Sequence, residues 1–104
     1  MTLTALTGAN IVLADAVAEG QALLLDGDRI AGLAPADALP AGCARHDLGG
    51  GWLLPGFIDV QVNGGGDVLF NDHPSVEGIR AIAAAHRRFG TTGLLPTLIS
   101  DYAG

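Results

Sequence analysis

Between Phe57 and Ser100 the sequence reads strand, helix, strand, and that order leaves few folds open. Phe57-Ile58-Asp59-Val60-Gln61-Val62-Asn63 is a strand entered through Pro55-Gly56. Gly64-Gly65-Gly66 ends it, and Asp67 to His73 reads as a loop. Ser75 is the expected helix N-cap, with Glu77 in the first turn where the helix dipole favours negative charge. Val76, Ile79, Ile82, Ala83, His86 and Phe89 recur at three- and four-residue spacing, which predicts one apolar stripe on a helix from Ser75 to Phe89. Arg80, Arg87 and Arg88 fall towards the other side, and Gly90 is the expected C′ residue. Thr91-Thr92-Gly93 leads into a second strand, Leu94 to Ser100, in which Pro96 is awkward for a central position.

A unit of this kind implies parallel strands joined by a right-handed crossover. Its chemistry belongs in the loops beyond the carboxyl ends of the strands, here Gln61-Val62-Asn63-Gly64 and Thr97-Leu98-Ile99-Ser100. Parallel sheets are normally covered on both faces, and one helix cannot cover two. The expectation is therefore that the chain is the first part of something larger. Apolar residues make up 49% of only 104, at the upper edge of ordinary composition for a size class with little interior. Some of that apolar surface is expected to face a second subunit or a remainder of the same polypeptide.

The first half has a different character. Leu3–Leu6, Ala9–Leu13, Gln21–Leu25, Arg29–Leu33 and Ala44–Leu48 are short β-prone runs. Asp26-Gly27-Asp28 between two of them is a strong hairpin signal, because glycine accepts the positive φ of a tight turn. Pro35 to Gly42 reads as a loop, and Gly49-Gly50-Gly51 permits a reversal into Trp52-Leu53-Leu54. The chain divides into a small β-domain portion at 1–54, a sheet or half of a sandwich, and an α/β portion at 55–104.

The charge balance excludes some partners. Formal net charge is −6, and all five basic residues are arginines, Arg29, Arg45, Arg80, Arg87 and Arg88. Nucleic acid needs a basic footprint that is missing here, and an anionic membrane surface is disfavoured for the same reason. The apolar runs are too short to span a bilayer, and the first ten residues lack a basic n-region. Lone Cys43 has no partner for an internal disulfide or a thiolate metal site. A reducing cytoplasm is the natural setting.

The glycine run after the first strand invites a dinucleotide reading, but a GxGxxG match from Gly64 meets Leu69 where Gly or Ala belongs, and no helix opens there. A P-loop is excluded because the chain has no lysine. Gly64, Gly65 and Gly66 read either as a tightly turned loop or as a close approach of backbone to a ligand. Gln61 and Asn63 stand two apart on a strand and share a face. Two amides there either bond to loop backbone or line a polar site. Asp59 shares that face as a candidate buried, paired carboxylate in support. His86, on the apolar stripe, reads as a hydrogen-bonded core histidine. No His-x-His, His-x-x-His or Cys-x-x-Cys occurs, so no complete metal site is expected from this chain alone.

The run from Pro55 to Gly66 resembles the amidohydrolase superfamily, in which Pro-Gly-Phe-Ile-Asp-x-His-x-His marks the first strand of a metal-dependent (β/α)8 barrel. Here Gln61 and Asn63 stand in place of the two histidines. With Val68-Leu69-Phe70-Asn71-Asp72 after the glycines, and Gly90-Thr91-Thr92-Gly93-Leu94-Leu95-Pro96-Thr97 later, the pattern looks like the N-acetylglucosamine-6-phosphate deacetylase branch. The stretches at Asn10-Ile11-Val12 and Asp26 to Ile30 fit that family's small β-domain.

The resemblance implies a sandwich-like N-terminal domain followed by the first βαβ unit of a truncated barrel. It implies hydrolysis of a phosphorylated amino sugar's acetamide through a divalent metal, zinc or similar, in the full-length enzyme. In the family a Glu and two His hold the metal and an Asp acts as acid and base. None of these falls within 1–104, so no catalytic residue, metal ligand or bound cofactor is expected of the isolated, inactive chain. Gln61 and Asn63 would border the metal pocket, with Asp59 and Gly64 to Gly66 as supporting strand and loop. A homo-oligomer and packing against the rest of the barrel are the expected associations. The competing readings are another cyclic-amide hydrolase of the superfamily, against which Gln61-x-Asn63 speaks, and a non-catalytic β-rich interaction module.

Overall fold

The computed structural model describes residues 2–100, and contacts divide it into two units, Met1–Pro55 and Gly56–Gly104. In the first unit the alternation of small and branched apolar residues builds two sheets. Strands β1 (Thr4–Thr7), β4 (Gln21–Asp26), β5 (Arg29–Pro35) and β6 (Ala44–Asp47) form one, in the order β5-β4-β1-β6. Strands β2 (Asn10–Val12), β3 (Val17–Ala18) and β7 (Trp52–Leu53) form the other, in the order β3-β2-β7. The β4–β5 hairpin turns through Gly27-Asp28, with Asp26 opposite Arg29. Gly27 takes φ +60° there, as a two-residue hairpin loop requires of its first central residue. Ala5, Ala22 and Leu24 form a buried cluster, with Leu3, Ala34, Leu39 and Cys43 packed around it. Cys43 is thus a half-buried packing residue.

In the second unit β8 (Phe57–Val62) and β11 (Thr91–Pro96) pair in parallel, with helix α1 (Val76–Arg87) between them in sequence. Ser75 caps the helix as expected: its backbone is extended and its Oγ accepts the Gly78 N–H at 3.1 Å. Val62 and Ile82 are the buried apolar residues of this unit.

Four local expectations need correction. The helix ends at Arg87, because Phe89 and Gly90 donate to His86 O and Arg87 O in tighter i→i+3 bonds. Gly90, at φ +100°, therefore stands one residue beyond C′. The ends of the apolar stripe, Val76 and Phe89, are exposed, and Arg88 lies over the Phe89 ring, 5.5 Å from its centroid. The second strand begins three residues earlier than its apolar run, since Thr91 and Thr92 suit extended backbone. Its ladder stops at Pro96, where proline brings no N–H. Finally, the glycine run does not simply end a strand. Strand β9 (Gly64–Gly65) pairs antiparallel with β10 (Val68–Leu69), and both residues of the turn, Gly66 at φ +58° and Asp67 at φ +64°, are left-handed. Positive φ at both central positions is the signature of a type I′ hairpin.

Candidate functional site

The β8 strand delivers Asn63 to the point where parallel pairing gives way to the β9–β10 hairpin. Its backbone carbonyl accepts the Phe70 N–H at 2.8 Å. Its side-chain Oδ1 is buried and has no hydrogen-bond partner among the described residues. A buried acceptor without a donor costs on the order of 1–3 kcal/mol, so this oxygen marks a place where a donor belongs. Asn63 lines a cavity of about 360 Å³ together with Leu69, Asn71, Ile99 and Ser100. Those residues come from the carboxyl end of β8, the hairpin and the segment leaving β11, which is where a βαβ unit carries its chemistry.

Two side-chain-to-backbone clamps hold the segments around Asn63. Asn71 Nδ2 donates to Ile99 O at 2.8 Å while Ile99 N–H donates to Asn71 Oδ1 at 2.8 Å. On the helix side, His86 Nε2 lies 2.8 Å from Gly64 O. A Cβ on Gly65 would stand 2.8 Å from the same Nε2, so the missing side chain makes room for the imidazole. His86 is therefore the hydrogen-bonded helix histidine that its place on the stripe predicts, half-buried and bonded to backbone.

The other predicted site residues are placed less centrally. Gln61 is exposed and is not among the cavity-lining residues. The ladder is irregular between Leu94 and Pro96, opposite Asp59 to Val62, so strict two-residue alternation is not kept along this part of β8. Asp59 is half-buried, and its Oδ1 accepts the N–H of Gln61 at 3.0 Å. It caps its own strand instead of forming a buried ion pair. Gly64 and Gly65 are half-buried hairpin backbone and Gly66 is an exposed turn residue. Sequence reasoning missed Leu69 and Asn71 as cavity residues, whereas Ile99 and Ser100 lie in the strand end it named. The run Leu69-Phe70-Asn71-Asp72 drew notice as a motif, but no periodicity signals a clamp across 28 positions.

Among the described residues, no group of three or more His, Cys, Asp or Glu side chains converges. The chemistry offered is that of one neutral amide in the cavity wall, whose buried oxygen is a weak ligand for zinc-like ions and a good acceptor for an N–H. These residues alone do not make a metal site.

Comparison with known proteins bears on the chain as a whole. Residues 4–53 match the NagA composite domain. An N-acetylgalactosamine-6-phosphate deacetylase of Shewanella sp. is 53% identical over 57 residues, 55% of this chain and 14% of that protein. An N-acetylglucosamine-6-phosphate deacetylase of Haemophilus influenzae is 39% identical over 79 residues, 76% of this chain and 21% of that protein. The crystal structure of N-acetylglucosamine-6-phosphate deacetylase from Pasteurella multocida superposes with a TM-score of 0.90 at 38% identity, covering 96% of this chain and 26% of that one. The chain thus spans about a quarter or less of the length of the proteins it matches. Residues 4–53 thus carry the NagA composite domain, and the backbone as a whole follows an N-terminal portion of an N-acetylglucosamine-6-phosphate deacetylase.

Proposed function

We propose that the polypeptide carrying this chain hydrolyses the acetamide of N-acetylglucosamine 6-phosphate, taking up one water and giving glucosamine 6-phosphate and acetate. The observation that carries the reading is Asn63, which lines the cavity at the carboxyl end of β8 and keeps a buried Oδ1 with no hydrogen-bond partner among the described residues. It sits where the superfamily's second strand-1 histidine would stand. An amide oxygen there suits a site that has given up one metal and kept a hydrogen-bond acceptor. Gln61, two residues earlier on β8, is exposed outside that lining, and the Gly64–Gly66 turn supports Asn63 through the hairpin backbone.

In this reading residues 1–54 are part of a small β-domain, and residues 55–104 are the first strand, helix and second strand of a (β/α)8 barrel. A divalent metal activates water in the complete enzyme. Its ligands and the acid–base carboxylate lie outside the residues described here, so no step through the metal follows from them. What this chain contributes is the Asn63 acceptor and the backbone that aims it. No helix among the described residues is long and apolar enough to cross a membrane. With a single half-buried Cys43, a cytoplasmic enzyme that assembles with itself is the fitting setting.

A second reading has one observation in its favour. The 53% identical Shewanella protein bears the name of the galactosamine deacetylase, and the two sugars differ only in the configuration at C4. The test is acetate release by the encoded polypeptide from both hexosamine 6-phosphates, each with the unphosphorylated sugar as control. Faster turnover of the glucosamine substrate supports the first reading. Preference for the C4 epimer replaces it with the second, and release of no acetate from either overturns both.

A further inference from the structure

We propose that His86 is the positioning residue for Asn63, acting through a single hydrogen bond to the Gly64 carbonyl. The inference rests on the reading above for the place of Asn63 beside the reacting centre, and adds how that side chain is aimed. A carbonyl oxygen only accepts, so at 2.8 Å from Gly64 O the His86 Nε2 carries the ring's proton. The preceding carbonyl, that of Asn63, is already held by the Phe70 N–H at 2.8 Å. Two successive carbonyls tied in different directions fix the peptide planes on either side of Gly64. They thereby fix the backbone from which the Asn63 carboxamide projects.

The holder is itself anchored. Helix α1 is capped by Ser75 and buries Ile82, leaving it 1% exposed. The local sequence is also cut to fit: a Cβ on Gly65 would press on Nε2, and one on Gly66 would lie 3.2 Å from Ala85 Cβ. Bare backbone against the last turns of the helix lets the imidazole reach a carbonyl that a side-chain-bearing residue would screen. Without the bond, Gly64 loses its only side-chain hydrogen bond among the described residues, and glycine backbone is the least restrained of all. Asn63 then loses its fixed place in the wall of the cavity it shares with Asn71 and Ile99.

The experiment uses the encoded polypeptide with His86→Leu, which removes the donor and keeps bulk, and His86→Gln, which restores an N–H donor. Two readouts are taken. The first is ¹⁵N NMR of the His86 ring and of the Asn63 side-chain amide. The second is kcat and KM for acetate release. The expected ring is the Nε2–H tautomer; the Nδ1–H tautomer overturns the proposal in the unmodified protein, whatever the variants do. In His86→Leu the Asn63 amide resonances move, and kcat falls about 10-fold to 100-fold, the range seen when a ligand's supporting partner is lost. KM stays within about twofold, as expected of a residue that acts only through Asn63; His86→Gln returns both readouts most of the way. Unmoved Asn63 resonances, unchanged kcat, or a folded His86→Gln that rescues nothing overturns the assignment. If the unmodified polypeptide releases no acetate, the reading of the reaction has failed, and the NMR readout alone decides the role of His86.

Discussion

Asn71 and Ile99 exchange two hydrogen bonds of 2.8 Å across 28 residues, the side-chain amide of one mimicking a strand partner for the backbone of the other. The bond pair ties the segment after the β9–β10 hairpin to the chain leaving β11. It does so at a position where Ile99 has no sheet neighbour, beyond the last ladder residue Pro96. Asn71→Ala removes both bonds and is expected to lower stability by about 1–2 kcal/mol, at the low end for two exposed bonds. Asn71→Asp keeps the acceptor for Ile99 N–H but faces the Ile99 carbonyl with an oxygen. Amide hydrogen exchange at Ile99 is the check: unprotected in Asn71→Ala, still partly protected in Asn71→Asp. Equal protection in all three proteins would remove the clamp from the account.

The cap at Ser75 allows a second test. Its Oγ takes the Gly78 N–H at 3.1 Å, and Gly78 is packed so closely on His73 O that no side chain fits there. The first turn therefore depends on the cap more than on packing by its own residues. Ser75→Ala should cost about 1 kcal/mol in denaturant unfolding and Ser75→Asp very little. A Ser75→Ala protein as stable as the parent would show that the turn is held by the rest of the chain.

The elements that were legible in the sequence are those whose signal is local. Ser75, Glu77 and the spaced apolar residues spelled out α1 because capping and periodicity act within one or two turns. Gly27 marked its hairpin through the same kind of local sterics. What failed to show was whatever depends on tertiary pairing. Asp67 is a non-glycine residue at φ +64°, so a hairpin hid in what reads as loop. The irregular ladder of β8 broke the alternation that put Asp59, Gln61 and Asn63 on one face, and Asp59 turned out to cap its own strand. The cavity was half legible: Asn63, Ile99 and Ser100 stand at the strand ends that the βαβ pattern marks, while Leu69 and Asn71 come from a hairpin without a periodic or compositional mark.

Apolar exposure leads to a third expectation. Ile58 and Val60 on β8 are 73% and 70% exposed, and Leu95, Leu98 and Ile99 are each more than half exposed. A two-stranded parallel sheet with open edges and such side chains is a template for association. Residues 1–104 are expected to bind a hydrophobic dye and to sediment as concentration-dependent oligomers. Replacing Ile58, Val60 and Leu95 by threonine, which keeps β propensity, should lower both signals several-fold. A parent chain that stays monomeric and dye-free at high concentration would contradict this.

The last prediction separates two glycines that look alike in the sequence. At Gly65 the obstacle to a side chain is one atom group: a Cβ would sit 2.8 Å from His86 Nε2, 3.0 Å from its Cδ2, and at an ordinary 3.5 Å from Ala85 Cβ. At Gly66 the obstacle is the backbone itself, at φ +58°, with Ala85 Cβ 3.2 Å away. Gly65→Ala in the parent must push the imidazole off the Gly64 carbonyl, and should cost about 1–3 kcal/mol through overpacking and the lost bond. In a His86→Ala background the ring is absent and the same substitution should be close to neutral, a coupling of about 0.5–3 kcal/mol in a double-mutant cycle. Gly66→Ala should cost about 1–2 kcal/mol in both backgrounds, because left-handed strain does not depend on the histidine. Unfolding free energies of the parent, the three single variants and the two double variants test this directly. Additive effects at Gly65 would mean that the glycine serves the turn and not the histidine.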